Sequence, residues 1–140
     1  MIKKLCAALV DDDLLEIIAY AVYHPTREQV QKIISDYIGK EGKKALVFRN
    51  EGLNIGCIAY SIIKGEIEID YIGVKIDNRG IGIAKKLVDE MIRREEPKRI
   101  YLETDLDAVD FYRRIGFNIK SIGNKYEDTE RFLCDRNICS

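Results

Sequence analysis

Hydrophobic positions along this chain change period twice. After Asp11, Asp12 and Asp13, residues suited to capping a helix, Leu14, Leu15, Ile17, Ile18, Ala21 and Val22 recur at helical spacing. His24-Pro25 breaks that segment. Thr26 and Gln29 then form a capping box, and Val30, Ile33, Ile34, Tyr37 and Ile38 mark a second helix that Gly39 ends. Ahead of both, "MIKKLCAALV" predicts a first strand leading to the helix start.

The stretch "KALVFRNEGLNIGCIAYSIIKGEIEIDYIGVKI" holds three runs rich in β-branched and aromatic residues, punctuated by Asn50-Glu51-Gly52 and Lys64-Gly65. It predicts an antiparallel meander with short turns. In its last run Glu66, Glu68 and Asp70 alternate with Ile67, Ile69 and Tyr71, which predicts one acidic and one apolar face. Helical spacing returns at Ile83, Ala84, Leu87, Val88, Met91 and Ile92, ahead of Pro97. "RIYLET" is a strand, "DAVDFYRRIGF" a short helix ended by Gly116, and "FNIKSI" and "RFLC" closing strands. The order β-α-α-β-β-β-α-β-α-β-β predicts an α/β fold, one mixed sheet with helices on both faces. No repeat or linker interrupts it, so residues 1–140 are expected to form one domain.

Composition adds mainly exclusions. Apolar content of 46% and charge of 34% are ordinary for a globular chain, and a net charge of −1 argues against nucleic acid or an anionic membrane as partner. No run approaches the ~20 apolar residues of a membrane span, and the apolar start ends in aspartates rather than a cleavage pattern. A cytoplasmic location is expected. One histidine and four dispersed cysteines give no metal-ligand spacing. Cys57 reads as a reduced core residue; Cys134 and Cys139 read as free thiols, with a disulfide between them the alternative.

The segment "DNRGIGIAKKL" is the informative one. Gly80 and Gly82 stand where a helix is about to begin, although a glycine inside a helix costs roughly 1 kcal/mol relative to alanine. A strand, a glycine turn and a helix start together form an anion cradle, because first-turn amides point outward and the dipole favours negative charge. Lys85 and Lys86 suit a bound phosphate there, or merely decorate a solvated face. The P-loop pattern GxxxxGK[ST] is absent, and the dinucleotide fingerprint fails because position 85 is Lys85.

Arg79-Gly80-Ile81-Gly82-Ile83-Ala84, following "EIDYIGV", fits [RQ]-x-x-G-x-[GA] and resembles the acetyl-CoA signature of the GNAT N-acetyltransferase superfamily. Ala108 to Phe117 resembles that family's A-x-x-x-Y-x-x-x-G-F signature, and the element order agrees along essentially the whole chain. The resemblance implies acetyl-CoA as cosubstrate. The amides of Gly80, Ile81, Gly82, Ile83, Ala84 and Lys85, with Arg79, would hold its pyrophosphate. Ile72, Gly73 and Val74 would pair with the pantetheine arm, a β-bulge near Gly73 would splay two parallel strands, and the Val74 amide would face the thioester carbonyl. Two positions depart from the family pattern. Asp105 replaces a frequent asparagine, and Ile76-Asp77-Asn78 lacks the usual proline and aromatic.

The implied reaction is direct attack of a primary amine on the thioester. Tyr112 would protonate the departing thiolate and also touch the cofactor; the alternative is a packing role in the last helix. Glu68 would be the general base, or else part of a solvent-facing acidic edge. Tyr20, Tyr23 and His24 are candidates to line an acceptor pocket. Partners are therefore acetyl-CoA and an amine, either a small molecule or a protein amine, with room for a homodimer. The rival readings are an acyl-CoA-binding sensor without turnover and a purely structural domain.

Overall fold

The structure, a computed structural model, describes residues 1–22, 25–126 and 129–138. Its elements run β1 (Ile2–Lys4), α1 (Asp12–Ala21), α2 (Arg27–Gly39), β2 (Lys43–Asn50), β3 (Leu53–Ile63), β4 (Glu66–Val74), α3 (Ile83–Glu95), β5 (Arg99–Asp105), α4 (Leu106–Arg114), β6 (Asn118–Tyr126) and β7 (Thr129–Asn137). The expected order holds. Seven strands form one sheet in the order β1-β2-β3-β4-β5-β7-β6, in which only β4 and β5 pair in parallel. The expected acceptor-pocket residues Tyr23 and His24, and Cys139, lie outside the described residues.

Each face of the sheet carries its own core. Leu14, Ile17 and Ile18 of α1 and Val30, Ile34 and Tyr37 of α2 cover one face; Leu87, Val88 and Met91 of α3 and Val109 and Tyr112 of α4 cover the other. β3 lies between them and is buried on both faces from Asn54 to Ser61, which is why its sequence reads as a continuous apolar run. The buried Cys57 thiol belongs to the α1/α2 side, as expected, and burial pushes it up to about 12.

The first strand is shorter than the hydrophobic run suggests. Pairing of β1 with β2 ends at Lys4, and Ala7–Leu9 form a turn of 3-10 helix. The cause lies far along the chain. The fully buried Asn54 amide donates to the Leu9 carbonyl (2.7 Å) and to Asp11 Oδ1 (2.9 Å), pulling the segment off the sheet. Asp11 in turn caps α1 by accepting from the Leu14 amide (2.8 Å). Thr26 and Gln29 form the expected capping box of α2.

A second difference concerns β4. Tyr60 stands opposite Ile69 and Ala59 opposite Tyr71, so Asp70 is the extra residue of a β-bulge. The bulge is therefore not at Gly73. It also shifts the alternation, so that Tyr71 joins the α1/α2 face with Glu68 and Asp70 instead of opposing them. Pairing of β4 with β5 covers only Glu66–Glu68 against Arg99–Tyr101, and both strands then continue apart.

Gly73 serves another purpose. A Cβ there would stand 3.0 Å from Ile17 Cγ2 and 3.1 Å from the Ile17 carbonyl oxygen, so glycine lets α1 cross β4 closely. Gly56, beside it on β3, does the same for α3, since a Cβ would meet Ile83 Cγ2 at 2.9 Å. We expect Gly73→Ala to destabilise the protein by about 1–3 kcal/mol in urea unfolding. Gly39→Ala, where nothing lies within 4 Å, should be neutral or stabilising. Equal behaviour of the two variants would contradict the close crossing.

Candidate active site

Three of the four α-helices have side-chain caps: Asp11 on α1, Thr26 on α2 and Asp105 on α4. α3 has none. Its N-cap is Gly82, with φ of +84°, and Gly80 two residues earlier has φ of +82°. Both lie in the left-handed region that strains any residue with a Cβ. A Cβ at either position would meet nothing within 4 Å, so the turn needs glycine for its backbone conformation and leaves open space above it. The amides of the first turn of α3 consequently have neither an intrahelical nor a side-chain acceptor.

This turn closes one end of a groove of about 630 Å³. Ile72, Gly73, Val74, Arg79, Gly80, Gly82, Ile83, Ala84, Lys85 and Tyr112 all line it. Of the expected cofactor residues only Ile81 does not; its side chain is exposed. The Lys75 amide donates to the Ile55 carbonyl of β3 (2.9 Å), so by alternation the polar groups of Val74 and Ile72 face away from β3, towards the splayed edge. Arg79 Nε takes the Val74 carbonyl (3.0 Å), and its guanidinium lies over the Tyr20 ring. Lys85 pairs with Asp89 (2.8 Å) at the groove wall, whereas Lys86 sits over the Phe48 ring.

α4 forms the opposite wall. Ala108, Phe111, Tyr112 and Ile115 line the groove at helical spacing. The Asp105 carboxylate, which departs from the family's asparagine, accepts from the Asp107 and Ala108 amides (both 3.1 Å) and so orients this helix. Tyr112 is only 3% exposed and stands edge-on to Phe111 and Phe117, with ring centroids 5.0 and 5.5 Å away. Burial, reinforced by Cys134 and Asp105, raises its phenol above the ordinary value, which keeps the proton on the oxygen.

Tyr112 also lines a second cavity, of about 370 Å³, together with Tyr20, Asp70, Tyr71, Glu103, Asp105 and Arg131. Ile72 and Ala108 are shared by both spaces as well. Where β4 and β5 part, the groove therefore meets a cavity reaching to the α1 side. Glu68 lies beyond it, in a third space of about 320 Å³ lined also by Tyr37, Lys43, Asp70, Tyr71 and Glu103. Burial raises the Glu68 carboxyl, Asp70 adds to the rise, and Lys43 opposes it. The Asp70 carboxylate accepts from Tyr37 Oη and Ser61 Oγ (both 2.6 Å), with Lys43 Nζ at 3.8 Å.

Sequence reasoning thus identified one wall and the floor of the groove. It missed Asn78, Ala108, Phe111, Arg114 and Ile115, although the spacing of Ala108, Phe111 and Ile115 around Tyr112 is a helical signal. It also missed Arg131, which no local pattern marks. Among the described residues no group of side chains is arranged to hold a metal ion, and no helix is long and apolar enough to cross a membrane.

No curated protein matches this sequence. Solved structures share the fold at low identity. The ribosomal-protein-S18-alanine N-acetyltransferase of Escherichia coli matches with a TM-score of 0.81 at 18% identity, over 100% of this chain and 94% of that one. The aminoglycoside 6'-N-acetyltransferase of Enterococcus faecium matches at 0.81 and 15%, over 100% and 98%. An aminoglycoside 6'-N-acetyltransferase complexed with coenzyme A matches at 0.79 and 14%, again over 100% and 98%. The sequence profile of the acetyltransferase (GNAT) domain covers residues 41–119, from the start of the meander past the α4 wall. Because that span holds the uncapped helix, the glycine turn and Tyr112, the chain belongs to the GNAT acetyltransferase family.

Proposed function

We propose that the protein is an acetyl-CoA-dependent N-acetyltransferase in which a primary amine attacks the thioester directly, in a ternary complex. The observation that carries this reading is Tyr112 standing in the wall common to the groove and the second cavity. A donor in the groove and an acceptor in the cavity meet at that side chain. The groove suits coenzyme A on its own features: uncapped amides and open glycine faces for a pyrophosphate, and a strand edge left by β5 at Ile72 and Val74, where Arg79 holds the Val74 carbonyl, for an extended amide-bearing arm. The solved relative bound to coenzyme A supports the same choice of ligand.

Acetyl-CoA supplies the thioester, whose carbonyl carbon is the electrophile. The oxyanion donor belongs at the Ile72 amide rather than at Val74, because Ile72 lines both spaces whereas Val74 lines the groove alone. As nitrogen bonds to that carbon and the C–S bond breaks, the Tyr112 hydroxyl gives its proton to sulfur. A cationic amine gives up two protons: Glu68 accepts the first through solvent as the lone pair is freed, and the second, lost after nitrogen bonds to the carbon, returns the Tyr112 phenol to its starting state. The products are an amide and a free thiol. Direct attack needs no protein nucleophile, and burial raises both the Cys57 and Cys134 thiols, leaving them protonated and unreactive.

Acidic side chains around the acceptor spaces favour a cationic amine. A lysine-like amine lies about 3.4 pKa units above neutrality, so freeing its lone pair costs roughly 4–5 kcal/mol, against about 1.4 for an α-amine. A Glu68 carboxyl raised by burial is a better base than an ordinary one, and a water chain from the neighbouring space suffices to reach the amine.

Three variants test these assignments. Gly82→Val forces a branched residue into a left-handed conformation and fills the open side of the turn; it should weaken coenzyme A binding about tenfold or more, ~1.4 kcal/mol, by calorimetry. Unchanged affinity in a folded variant would remove the cradle from the mechanism. Tyr112→Phe should leave acetyl-CoA affinity nearly intact while turnover falls by about 10²–10⁴-fold. Wild-type turnover in that variant would assign Tyr112 to packing, and binding without turnover in the parent protein would favour an acyl-CoA sensor. Glu68→Gln should cost more with lysine-like amines than with α-amines, and should flatten the acid limb of the rate profile. That limb lies above the ordinary carboxylate range because the raised carboxyl must ionise first. Equal losses on both amine types would exclude Glu68 as base.

A further inference from the structure

Arg131 is the one cation lining the cavity into which Tyr112 looks. It sits on β7 directly across from Asp105 of β5. Its Nε is buried and has no hydrogen-bond partner, and its side chain makes no ion pair among the described residues. The other arginines nearby are engaged. Arg99 holds Asp135 (3.0 Å) and Glu66 (3.2 Å), and Arg136 donates to the Ile115 carbonyl (3.4 Å). Two of the three carboxylates lining this cavity have other partners. Asp105 Oδ1 accepts two amides of α4, and Asp70 is held by Tyr37, Ser61 and Lys43.

A buried guanidinium nitrogen without an acceptor is costly, and native proteins complete such groups with a ligand, an ion or a bound water. The planar fork of arginine matches the two oxygens of a carboxylate better than any neutral group. We propose that the amine acceptor carries a carboxylate and that Arg131 binds it, which makes the substrate a small zwitterion of the amino-acid type. This inference rests on the acetyltransferase reading. The cavity has both signs of charge for such a molecule, the negative charge of Asp70, Glu103 and Asp105 drawing the ammonium and Arg131 taking the carboxylate. A space of about 370 Å³ also suits a molecule of amino-acid size better than a polycationic chain.

The test uses three matched acceptor sets: the twenty L-amino acids, the same compounds with the carboxyl amidated, and the corresponding decarboxylated amines. Thiol release from acetyl-CoA is followed in the wild-type protein and in Arg131→Met, which keeps a long stem without charge. The free amino acids should be preferred in kcat/KM by about tenfold or more over both other sets. Arg131→Met should raise KM for the free acids by about tenfold more than for the decarboxylated amines, with kcat changing far less; Arg131→Lys should restore part of the difference. Amides or decarboxylated amines used as well as free acids, or an Arg131→Met loss equal across the three sets, would overturn the proposal. A preference for the amides would overturn it in favour of a neutral carbonyl, as at a peptide terminus. If no set releases thiol, the melting temperature of the coenzyme A-loaded protein decides. Stabilisation by free amino acids that Arg131→Met abolishes would uphold the carboxylate site while the transferase reading fails. No such stabilisation would overturn the carboxylate site and leave the transferase reading to the Gly82 and Tyr112 variants.

Discussion

The architecture of the site depends on the Asp70 carboxylate. Asp70 is an extra residue in a strand otherwise in register with β3, and a bulge of this kind needs something to hold it. Tyr37 of α2 and Ser61 of β3 supply short hydrogen bonds to one carboxylate oxygen, and Lys43 of β2 stands behind them over the Tyr37 ring. Three separate elements thus grip one side chain. The bulge turns β4 away from β5 just after Glu68, and the gap becomes the place where the groove and the second cavity meet. Without the inserted residue, Tyr71 would fall on the other face and the strand edge at Ile72 would stay covered by β5.

Two glycines let the helices follow that geometry. Gly56 and Gly73 lie side by side on β3 and β4, one admitting α3 and the other α1. The uncapped start of α3 is therefore brought close to the sheet, immediately beside the unpaired end of β4. Cofactor cradle and strand edge become one continuous wall. Glycine serves here for close approach, whereas at Gly80 and Gly82 it serves the backbone conformation.

Charge is arranged by position more than by amount. The chain is nearly neutral, yet acidic side chains gather on the α1/α2 side of the gap, and the amide-rich helix start lies on the α3 side. Tyr112 stands between, buried enough to stay protonated and open to both spaces. A neutral phenol at that point places no fixed charge in the wall that the two spaces share.

Contiguous patterns encoded a large part of this. Helical spacing, the capping box at Thr26, the meander turns and the glycine turn before α3 are all written in residues close together in the chain, and their physical preferences are local. The same holds for the groove wall on α4, where one helical face carries Tyr112. What the sequence could not reveal is every feature that depends on a distant partner. The extra residue of the bulge is defined only by counting against β3, so it was expected at Gly73, where a glycine is conspicuous, rather than at Asp70. The end of β1 is imposed by Asn54, more than forty residues later. Glu68 occupies a space beside the junction of groove and second cavity rather than the junction itself, because the splay of β4 and β5 begins just beyond it. Arg131 faces the second cavity only because β7 inserts next to β5, out of chain order. Local sequence determines which elements form and where backbone amides stay free; the pairing of strands far apart in the chain decides which side chains face one another across the site.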